Sequence, residues 1–392
     1  MQQYEKINRV MEFRNHFKNE ASLKSLMSKG NTLMMFFVIV ISTLFFACTQ
    51  SGSKAPVSKE SNNSDKVVIS EVKNKPVIVD NETTLREIIK KGDNSIIIPK
   101  GVTIRLNATI LIDREITIEG EENAVIEGNN KIRLFYVLPK GTLTLNNLII
   151  ANGKAEEEDE GGFGGAITNI GWLYINDCVL KNNNAKYGGA IFNGQKEEPG
   201  GFMVIGNTVF TGNSSKIGGG AIMIVSGNNL VSIDGSSFEN NSSHMGGAIY
   251  SMSSLPCISK SSFDGNKAMD GGAIYNSNGI VLLEGLSNEK SLFKNNQADN
   301  CGGAIYNSKG DLYLLHGYVL SGNLGRGGAV YNNESSSVNL LEVEIKGNKS
   351  DDVFNHSQGG KVIIEKSTVE KKSGNNFIKG EVDLSRFMPP KE

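Results

Sequence analysis

The stretch FDGNKAMDGGAIYNS, Phe263–Ser277, contains two motifs that recur through nearly half of the chain. The first is Gly-Gly-Ala-Ile, which also begins at Gly164, Gly188, Gly219, Gly246 and Gly302 and reads Gly-Gly-Ala-Val at Gly327, at intervals of 24, 31, 27, 25, 31 and 25 residues. The second is an apolar residue, two spacers and an Asn, as at Phe263 and Asn266. Fixed motifs at such spacing predict a solenoid, in which each repeat is one coil.

The second motif accompanies the first in every later repeat. Its pairs are Leu180 and Asn183, Phe210 and Asn213, Phe238 and Asn241, Phe263 and Asn266, Phe293 and Asn296, Leu320 and Asn323, and Ile345 and Asn348. Five residues earlier most coils carry Ile or Leu, with a further apolar residue two positions before it, as at Ile233 and Val231. This alternation predicts strands with one buried face, about three per coil, with equivalent residues roughly 4.8 Å apart along the axis.

The composition supports the same architecture. The chain has 45 glycines and only eight prolines, which suits tight turns and unbroken ladders of backbone hydrogen bonds. We expect Gly-Gly-Ala to mark a close approach of backbones, the Phe, Leu and Ile positions to fill the core, and the Asn side chains to form a hydrogen-bonded ladder. The extra residues Gly285–Glu289 are expected to form a surface loop.

The paired motifs resemble the repeat of the polymorphic outer membrane proteins. The resemblance covers about Gly164 to Asn348, and it implies a right-handed parallel β-helix of the pectin-lyase-like type. It also implies an envelope-exposed protein with an adhesive role. Family members carry a C-terminal membrane barrel, but only 44 residues follow Asn348 here, fewer than an eight-stranded barrel requires. The expectation is a β-helix anchored by other means.

The N-terminus suggests such an anchor. Leu33–Ala47 is an apolar run, too short to span a membrane but suited to a signal peptide, and Ala47-Cys48 resembles a lipobox. We expect lipidation of Cys48 and an outer-membrane, surface-exposed lipoprotein. Ordinary signal cleavage and an uncleaved anchor are the alternatives, and Met27 is an alternative start. The predicted organisation is a signal peptide over 1–47, a flexible tether over 48–75 and the β-helix with its capping segments over 76–392.

A short helix is predicted to cap the first coil. Thr84–Gly92 begins with a capping residue, places Leu85, Ile88 and Ile89 on one stripe and ends at a Gly. Alternating segments follow it and are expected to form irregular coils of the same helix: 95–98, 102–106, 110–112, 116–118, 125–126 and 143–150.

Several function classes are weighed against this scaffold. The net charge is −2 and the charges are mixed, so the sequence does not indicate a basic surface for binding nucleic acid. A polysaccharide lyase or glycosidase is the competing function, because such folds also carry glycan-cleaving sites. The candidate carboxylates are expected to stay apart: Asp234, Asp264, Asp270 and Asp299. No cofactor and no metal site are predicted. The run of five acidic residues at 156–160 is a weak candidate for binding calcium, through Glu156, Glu158, Asp159 and Glu160.

One column of side chains is a candidate contact surface. Two residues after each Ala stand Thr168, Phe192, Met223, Tyr250, Tyr275, Tyr306 and Tyr331. Alternation places them opposite the Ile column, so Ile inside the core would turn the tyrosines outward. The reverse arrangement, with Ile outward, is the alternative. Exposed tyrosines at 250, 275, 306 and 331 would suit contact with glycans or with host or envelope proteins.

Overall fold

The structure is a parallel β-solenoid. The computed structural model describes residues 76–156, 161–194, 201–225, 230–285, 291–333, 335–356, 360–384 and 387. The solenoid comprises the described residues of one compact unit, Asn74–Val382, which confirms the predicted all-β class. The right-handed sense of the coil stays a prediction.

Three long parallel sheets run along the solenoid axis, and each complete coil contributes one strand to each of them. The first sheet has 13 strands: Val77–Ile78, Ser95–Ile98, Glu115–Gly120, Thr142–Asn146, Trp172–Asn176, Phe202–Gly206, Val231–Asp234, Pro256–Ser259, Ile280–Glu284, Asp311–Leu315, Ser337–Leu341, Val362–Glu365 and Phe377–Lys379. The second has 11: Thr103–Arg105, Val125–Glu127, Ile149–Ala151, Val179–Lys181, Val209–Thr211, Ser237–Glu239, Ser262–Asp264, Ser291–Lys294, Tyr318–Ser321, Glu344–Ile345 and Thr368–Val369.

The third sheet also has 11 strands and follows each Gly-Gly-Ala. They are Ile110–Ile112, Phe135–Val137, Ile167–Asn169, Ile191–Asn193, Ile222–Ile224, Ile249–Met252, Ile274–Ser277, Ile305–Ser308, Val330–Asn332, Val353–Asn355 and Lys372–Gly374. Between the second and third sheets, some coils add a strand to one of two short sheets. One comprises Lys154–Ala155, Asn184–Tyr187 and Ser214–Gly218, and the other Lys267–Asp270, Gln297–Cys301 and Leu324–Arg326.

Equivalent apolar residues stack along the core, as the sequence predicts. The rings of Phe210, Phe238, Phe263 and Phe293 form a continuous pile with centroid distances of 4.8, 4.8 and 4.5 Å. The Ile column of the third sheet is fully buried beside them. Burial of a large apolar side chain contributes roughly 1.5–3 kcal/mol, so each coil gains most of its stability from contact with its neighbours.

Each Gly-Gly-Ala forms a corner before the third sheet. Gly271, the first glycine of its repeat, has φ 65, a backbone conformation that L side chains rarely adopt. The second glycine is fixed by space, because a Cβ on Gly272 would lie 2.1 Å from the carbonyl oxygen of Gly303 in the next coil. The Ala side chain of the motif is buried in the core. The predicted close approach of backbones is therefore confirmed.

The Asn residues of the second motif form a buried ladder. Nδ2 of Asn266 donates to Oδ1 of Asn296 in the next coil at 2.9 Å and to the carbonyl oxygen of Phe238 in the preceding coil at 2.9 Å. The same bonds join Asn183, Asn213, Asn241, Asn266, Asn296, Asn323 and Asn348. The ladder ends where Nδ2 of Asn348 donates to the buried carboxylate of Asp352 at 2.7 Å.

The capping helix is present, but it begins earlier than the sequence predicts. It spans Glu82–Lys91 and buries Leu85, Ile88 and Ile89 against the core. Its N-cap is Asn81, not Thr84, because the Asn81 side chain accepts from the Thr84 backbone N–H at 2.9 Å. Gly92 ends the helix with φ 97, as expected.

The irregular early coils are also confirmed, with one refinement. The segment 143–150 is two strands rather than one, Thr142–Asn146 and Ile149–Ala151, because Asn147 has φ 52 and turns the chain between them. Of the predicted surface loop, Gly285 is described, whereas residues 286–289 lie outside the described residues. The boundaries proposed for the signal peptide and the tether stay predictions.

Candidate binding surface on the outer face of the third sheet

The outer face of the third sheet carries a continuous column of large side chains. We call it the aromatic column, and it comprises Phe192, Met223, Tyr250, Tyr275, Tyr306, Tyr331 and Phe354. On the same strands the neighbouring Ile side chains are fully buried in the core. The column therefore points away from the core, and the alternative with Ile outward is excluded.

The rings of the column stack on one another over its second half. Centroid distances are 4.7 Å for Tyr275 to Tyr306, 5.2 Å for Tyr306 to Tyr331 and 5.0 Å for Tyr331 to Phe354, with interplanar angles of 8–11°. Tyr250 breaks the stack and meets Tyr275 edge-on at 85°. Tyr250 lies against Gly218, where an added Cβ would meet its ring at 2.3 Å.

The tyrosines are less exposed than the sequence argument assumes. Tyr250 is 8% and Tyr331 5% exposed, whereas Tyr275 and Tyr306 are half-buried. The Tyr250 and Tyr275 side chains hydrogen-bond to Ser277 and Ser308 one coil further on, and the Tyr306 hydroxyl accepts from Asn333 Nδ2 at 2.9 Å. Burial, followed by the charges of Tyr250 and Asp270, raises the pKa of Tyr275 to about 12. The column thus stabilises the coils as well as presenting ring edges.

A second column faces the aromatic column across the Gly-Gly-Ala corner. We call it the pre-glycine column, because each member directly precedes Gly-Gly, and it comprises Phe163, Tyr187, Gly218, Met245, Asp270, Cys301 and Arg326. Parallel pairing joins these residues from coil to coil. This column was missed from the sequence, because its residue types share no property and only their fixed position before Gly-Gly could have revealed it.

The two columns meet with an offset of one coil. Phe163 packs on Phe192 of the next coil with ring centroids 4.3 Å apart, and Cys301 hydrogen-bonds to Tyr331 of the next coil. Arg326 follows the same rule, since its guanidinium lies 4.2 Å from the ring centroid of Phe354. We call the two columns together the seam.

The first half of the seam is apolar. Phe192, Met223 and Tyr250 form a hydrophobic cluster of their own, separate from the solenoid core. Further partly buried residues pack against it: Phe163, Tyr187, Val225, Met245, Met252 and Tyr275. Met223 is buried, whereas Met245 and Met252 are partly exposed. The flexible Met side chain adapts to varied binding partners.

The second half of the seam is polar and charged. Asp270 Oδ1 accepts from Asn300 Nδ2 at 2.9 Å and from the Cys301 backbone N–H at 3.2 Å. Burial and the Asp270 charge raise the pKa of the Cys301 thiol, so the protonated form is favoured. Arg326 is exposed, and its guanidinium also lies 5.7 Å from the ring centroid of Tyr331.

The other predicted site residues are dispersed. Cys48, Glu158, Asp159 and Glu160 lie outside the described residues, and Glu156 forms an ion pair with Lys154. Among the residues that the structure describes, no three His, Cys, Asp or Glu side chains are grouped as metal ligands.

The four carboxylates considered for catalysis occupy different parts of the coil. Asp234 ends a strand of the first sheet beside Lys260, Asp264 ends a strand of the second, and Asp270 and Asp299 lie on strands of a short sheet. The four carboxylates therefore belong to three different sheets, and only Asp270 and Asp299 lie on neighbouring strands.

Comparison with known proteins identifies the repeat. The Chlamydia polymorphic membrane protein repeat matches at residues 207–224, 235–252, 260–277 and 290–308. Four stretches of the chain therefore match this repeat, as the paired motifs suggest. The coils next to the matched stretches also carry a buried ladder Asn, at Asn183, Asn323 and Asn348, with Leu or Ile in place of the core Phe. Neither the curated proteins nor the solved structures include a match to the chain.

The family match supports a location in the cell envelope, because the repeat is that of a family of membrane proteins. Within the described part of the chain, no helix has the length and apolar character needed to cross a bilayer.

Proposed function

We propose that this protein is an adhesin-like β-solenoid of the bacterial cell surface, which binds a macromolecular partner through the seam. The observation that carries this proposal is the continuity of the seam. Seven successive coils present large side chains outward beside the same corner, and their apolar half forms a cluster outside the core. Phe192, Met223 and Tyr250 at its centre are buried, and the partly exposed residues that surround them are Phe163, Tyr187, Val225, Met245, Met252 and Tyr275. Partly exposed apolar side chains grouped on a protein surface commonly mark interaction sites.

We further propose that the protein is held at the outer membrane by a lipid on Cys48. The apolar run Leu33–Ala47 and the Ala47-Cys48 pair support this proposal, and the envelope family of the repeat agrees with it. Each buried CH₂ of an acyl chain contributes roughly 0.8 kcal/mol, so a multiply acylated cysteine suffices as an anchor.

Adhesion can be tested by changing the seam without changing the core. Met245 belongs to the pre-glycine column and packs on the apolar cluster, whereas Met269 is 41% exposed on the neighbouring short strand. We expect beads coated with the full chain to adhere to cultured epithelial cells. Met245→Lys should reduce the number of bound beads several-fold, because a lysine charge resists burial against a partner.

Met269→Lys is the matched control and should leave bead adhesion unchanged, with thermal unfolding of both variants followed by circular dichroism. Equal adhesion of the two variants, or no adhesion of the unmodified chain, would contradict a binding role for the seam.

Anchoring is tested separately by Cys48→Ser in the full-length chain. We expect the substitution to abolish incorporation of labelled palmitate and to move the protein from the membrane fraction to the soluble fraction. Cys257→Ser, within the solenoid, serves as the control and should change neither result. Complete membrane retention of the Cys48→Ser variant would instead indicate that Leu33–Ala47 remains as an uncleaved anchor.

A further inference from the structure

The chemistry of the seam changes along the solenoid axis. The pre-glycine column begins with Phe, Tyr, Gly and Met and continues with Asp270, Cys301 and Arg326. The aromatic column faces both halves, but only its first half joins the cluster with three methionines. A partner that fills the whole seam must therefore offer apolar groups at one end and a polar or charged group at the other.

The stacked tyrosines are poorly arranged for a glycan. Sugar rings bind aromatic side chains through the ring faces, but the faces of Tyr275, Tyr306 and Tyr331 are covered by one another at 4.7–5.2 Å. The Tyr250, Tyr275 and Tyr306 hydroxyls already bond to residues of the next coil. Sugar hydroxyls placed over the methionine cluster would lose hydrogen bonds to water without replacement, which is costly.

Arg326 supplies a binding group for an anion. Its guanidinium is held by the rings of Phe354 and Tyr331, at 4.2 and 5.7 Å from their centroids. No ion pair joins Arg326 to a carboxylate in the described ranges of the chain. A planar guanidinium that rests on aromatic rings keeps its N–H edge available, and this edge matches the two oxygens of a carboxylate.

We propose that the seam binds an extended polypeptide segment of the partner, with apolar side chains against the methionine-lined half and a carboxylate on Arg326. This inference rests on the proposed binding role of the seam and names its ligand. Seven coils at about 4.8 Å span roughly 30 Å, which an extended peptide covers with about nine residues. The Asp270 carboxylate lies two coils from Arg326 and is engaged by Asn300 and Cys301, so the anion is directed to Arg326.

The test uses a defined peptide and the full chain. The probe is a fluorescein-labelled nine-residue peptide in which Leu, Met or Phe alternates with Thr and two Asp residues end the chain. A matched peptide carries two Asn and an amidated C-terminus instead. By fluorescence anisotropy, we expect the acidic peptide to bind at least about tenfold more tightly than the matched peptide.

Substitutions at Arg326 test whether the carboxylate of the bound peptide lies against this side chain. Arg326→Gln should weaken binding of the acidic peptide at least about tenfold and leave binding of the Asn peptide nearly unchanged. Arg326→Lys keeps the charge but loses the planar edge, so it should bind with intermediate affinity. The control is Arg105→Gln, an exposed arginine of the second sheet that pairs with Glu127 far from the seam.

Three results would overturn the inference: no binding of the acidic peptide, equal weakening by the Arg105 and Arg326 substitutions, or binding of polygalacturonate in place of the peptide. If bead adhesion still depended on Met245 in that case, the proposed binding role of the seam would stand and only the polypeptide ligand would be rejected. Loss of both responses would reject the two proposals together.

Discussion

Adjacent positions in one turn have different physical roles. In the repeat that contains Asn182 and Asn183, the first has φ 55 and turns the chain, whereas the second is fully buried and belongs to the ladder. Gly replaces the turning residue in other coils, as at Gly212, because both residue types tolerate this backbone conformation. The ladder residue is Asn in every coil from 183 to 348, because its amide donates to one coil and accepts from another.

A ladder residue should therefore be far more sensitive to truncation than a surface Asn. Asn266→Ala removes the acceptor for the Asn241 backbone N–H and side chain, and it removes the donor to Asn296. Because the groups left behind are buried, we expect a loss of roughly 2–4 kcal/mol in unfolding free energy. Asn184→Ala, at an exposed site, is the control and should change thermal unfolding little. Similar melting temperatures for the two variants would argue against the ladder as a stabilising element.

At the scale of elements, the helix Glu82–Lys91 closes the N-terminal end of the solenoid, and a carboxylate ties it to the first coils. Glu82 accepts from the Asn107 backbone N–H at 3.0 Å and from its side chain at 2.7 Å, and it pairs with Arg86. Burial opposes ionisation of Glu82, but the hydrogen bonds from Asn107 and Arg86 outweigh it and lower the pKa of the carboxyl. The helix is thus held by its apolar stripe and by one charged contact.

This contact should make stability depend on pH. A lowered pKa in the folded state stabilises the protein above the ordinary carboxyl pKa, and this stabilisation is lost as the pH falls through the lowered value. We expect Glu82→Gln to reduce the unfolding free energy by about 1–2 kcal/mol at pH 7, and the difference should shrink in acid. Glu87→Gln, on the exposed side of the helix, should have little effect. A difference that persists unchanged into acid would contradict the assigned role of Glu82.

At the scale of the whole molecule, stability depends on contacts between neighbouring coils. Each Phe ring of the core pile stacks on the ring of a neighbouring coil, so a defect affects the adjacent coils first. The N-terminal coil is covered by the helix, and the following coils repeat one set of columns. A destabilising substitution inside the solenoid should therefore unfold its own coil and the neighbouring coils first.

Phe238→Asp tests this coupling. Loss of the ring alone should cost roughly 3–5 kcal/mol, and burial of a carboxylate in its place adds to the penalty. We expect a lower melting temperature and new protease cleavage in the coil around residue 238 and its neighbours. Ser237→Asp places the same charge one residue earlier on the outer face and should be tolerated. Unchanged unfolding of the Phe238→Asp variant would show that the core assignment is wrong.

The sequence by itself determined the coil, its core columns and the ladder. Equivalents of Phe238, Ile249 and Asn241 recur in coil after coil in nearly identical surroundings. The repetition of these positions therefore indicates that they are buried. The sequence favoured an outward Tyr275 but left the reverse arrangement open, and the structure decided between them because the neighbouring Ile274 is fully buried in the core. The helix start at Asn81 was missed, since both Asn81 and Thr84 are suitable caps and only the bond between them decides.

Only the tertiary structure revealed that the aromatic column and the pre-glycine column meet to form the seam. Arg326 meets Phe354, and Cys301 meets Tyr331, each from the following coil. Coil lengths vary from 24 to 31 residues, so no fixed spacing in the sequence marks these pairs. The pre-glycine column also lies outside the core, where packing does not require one residue type. A repeat specifies what every coil must share, whereas the contacts that distinguish one coil from another depend on how neighbouring coils are placed in space.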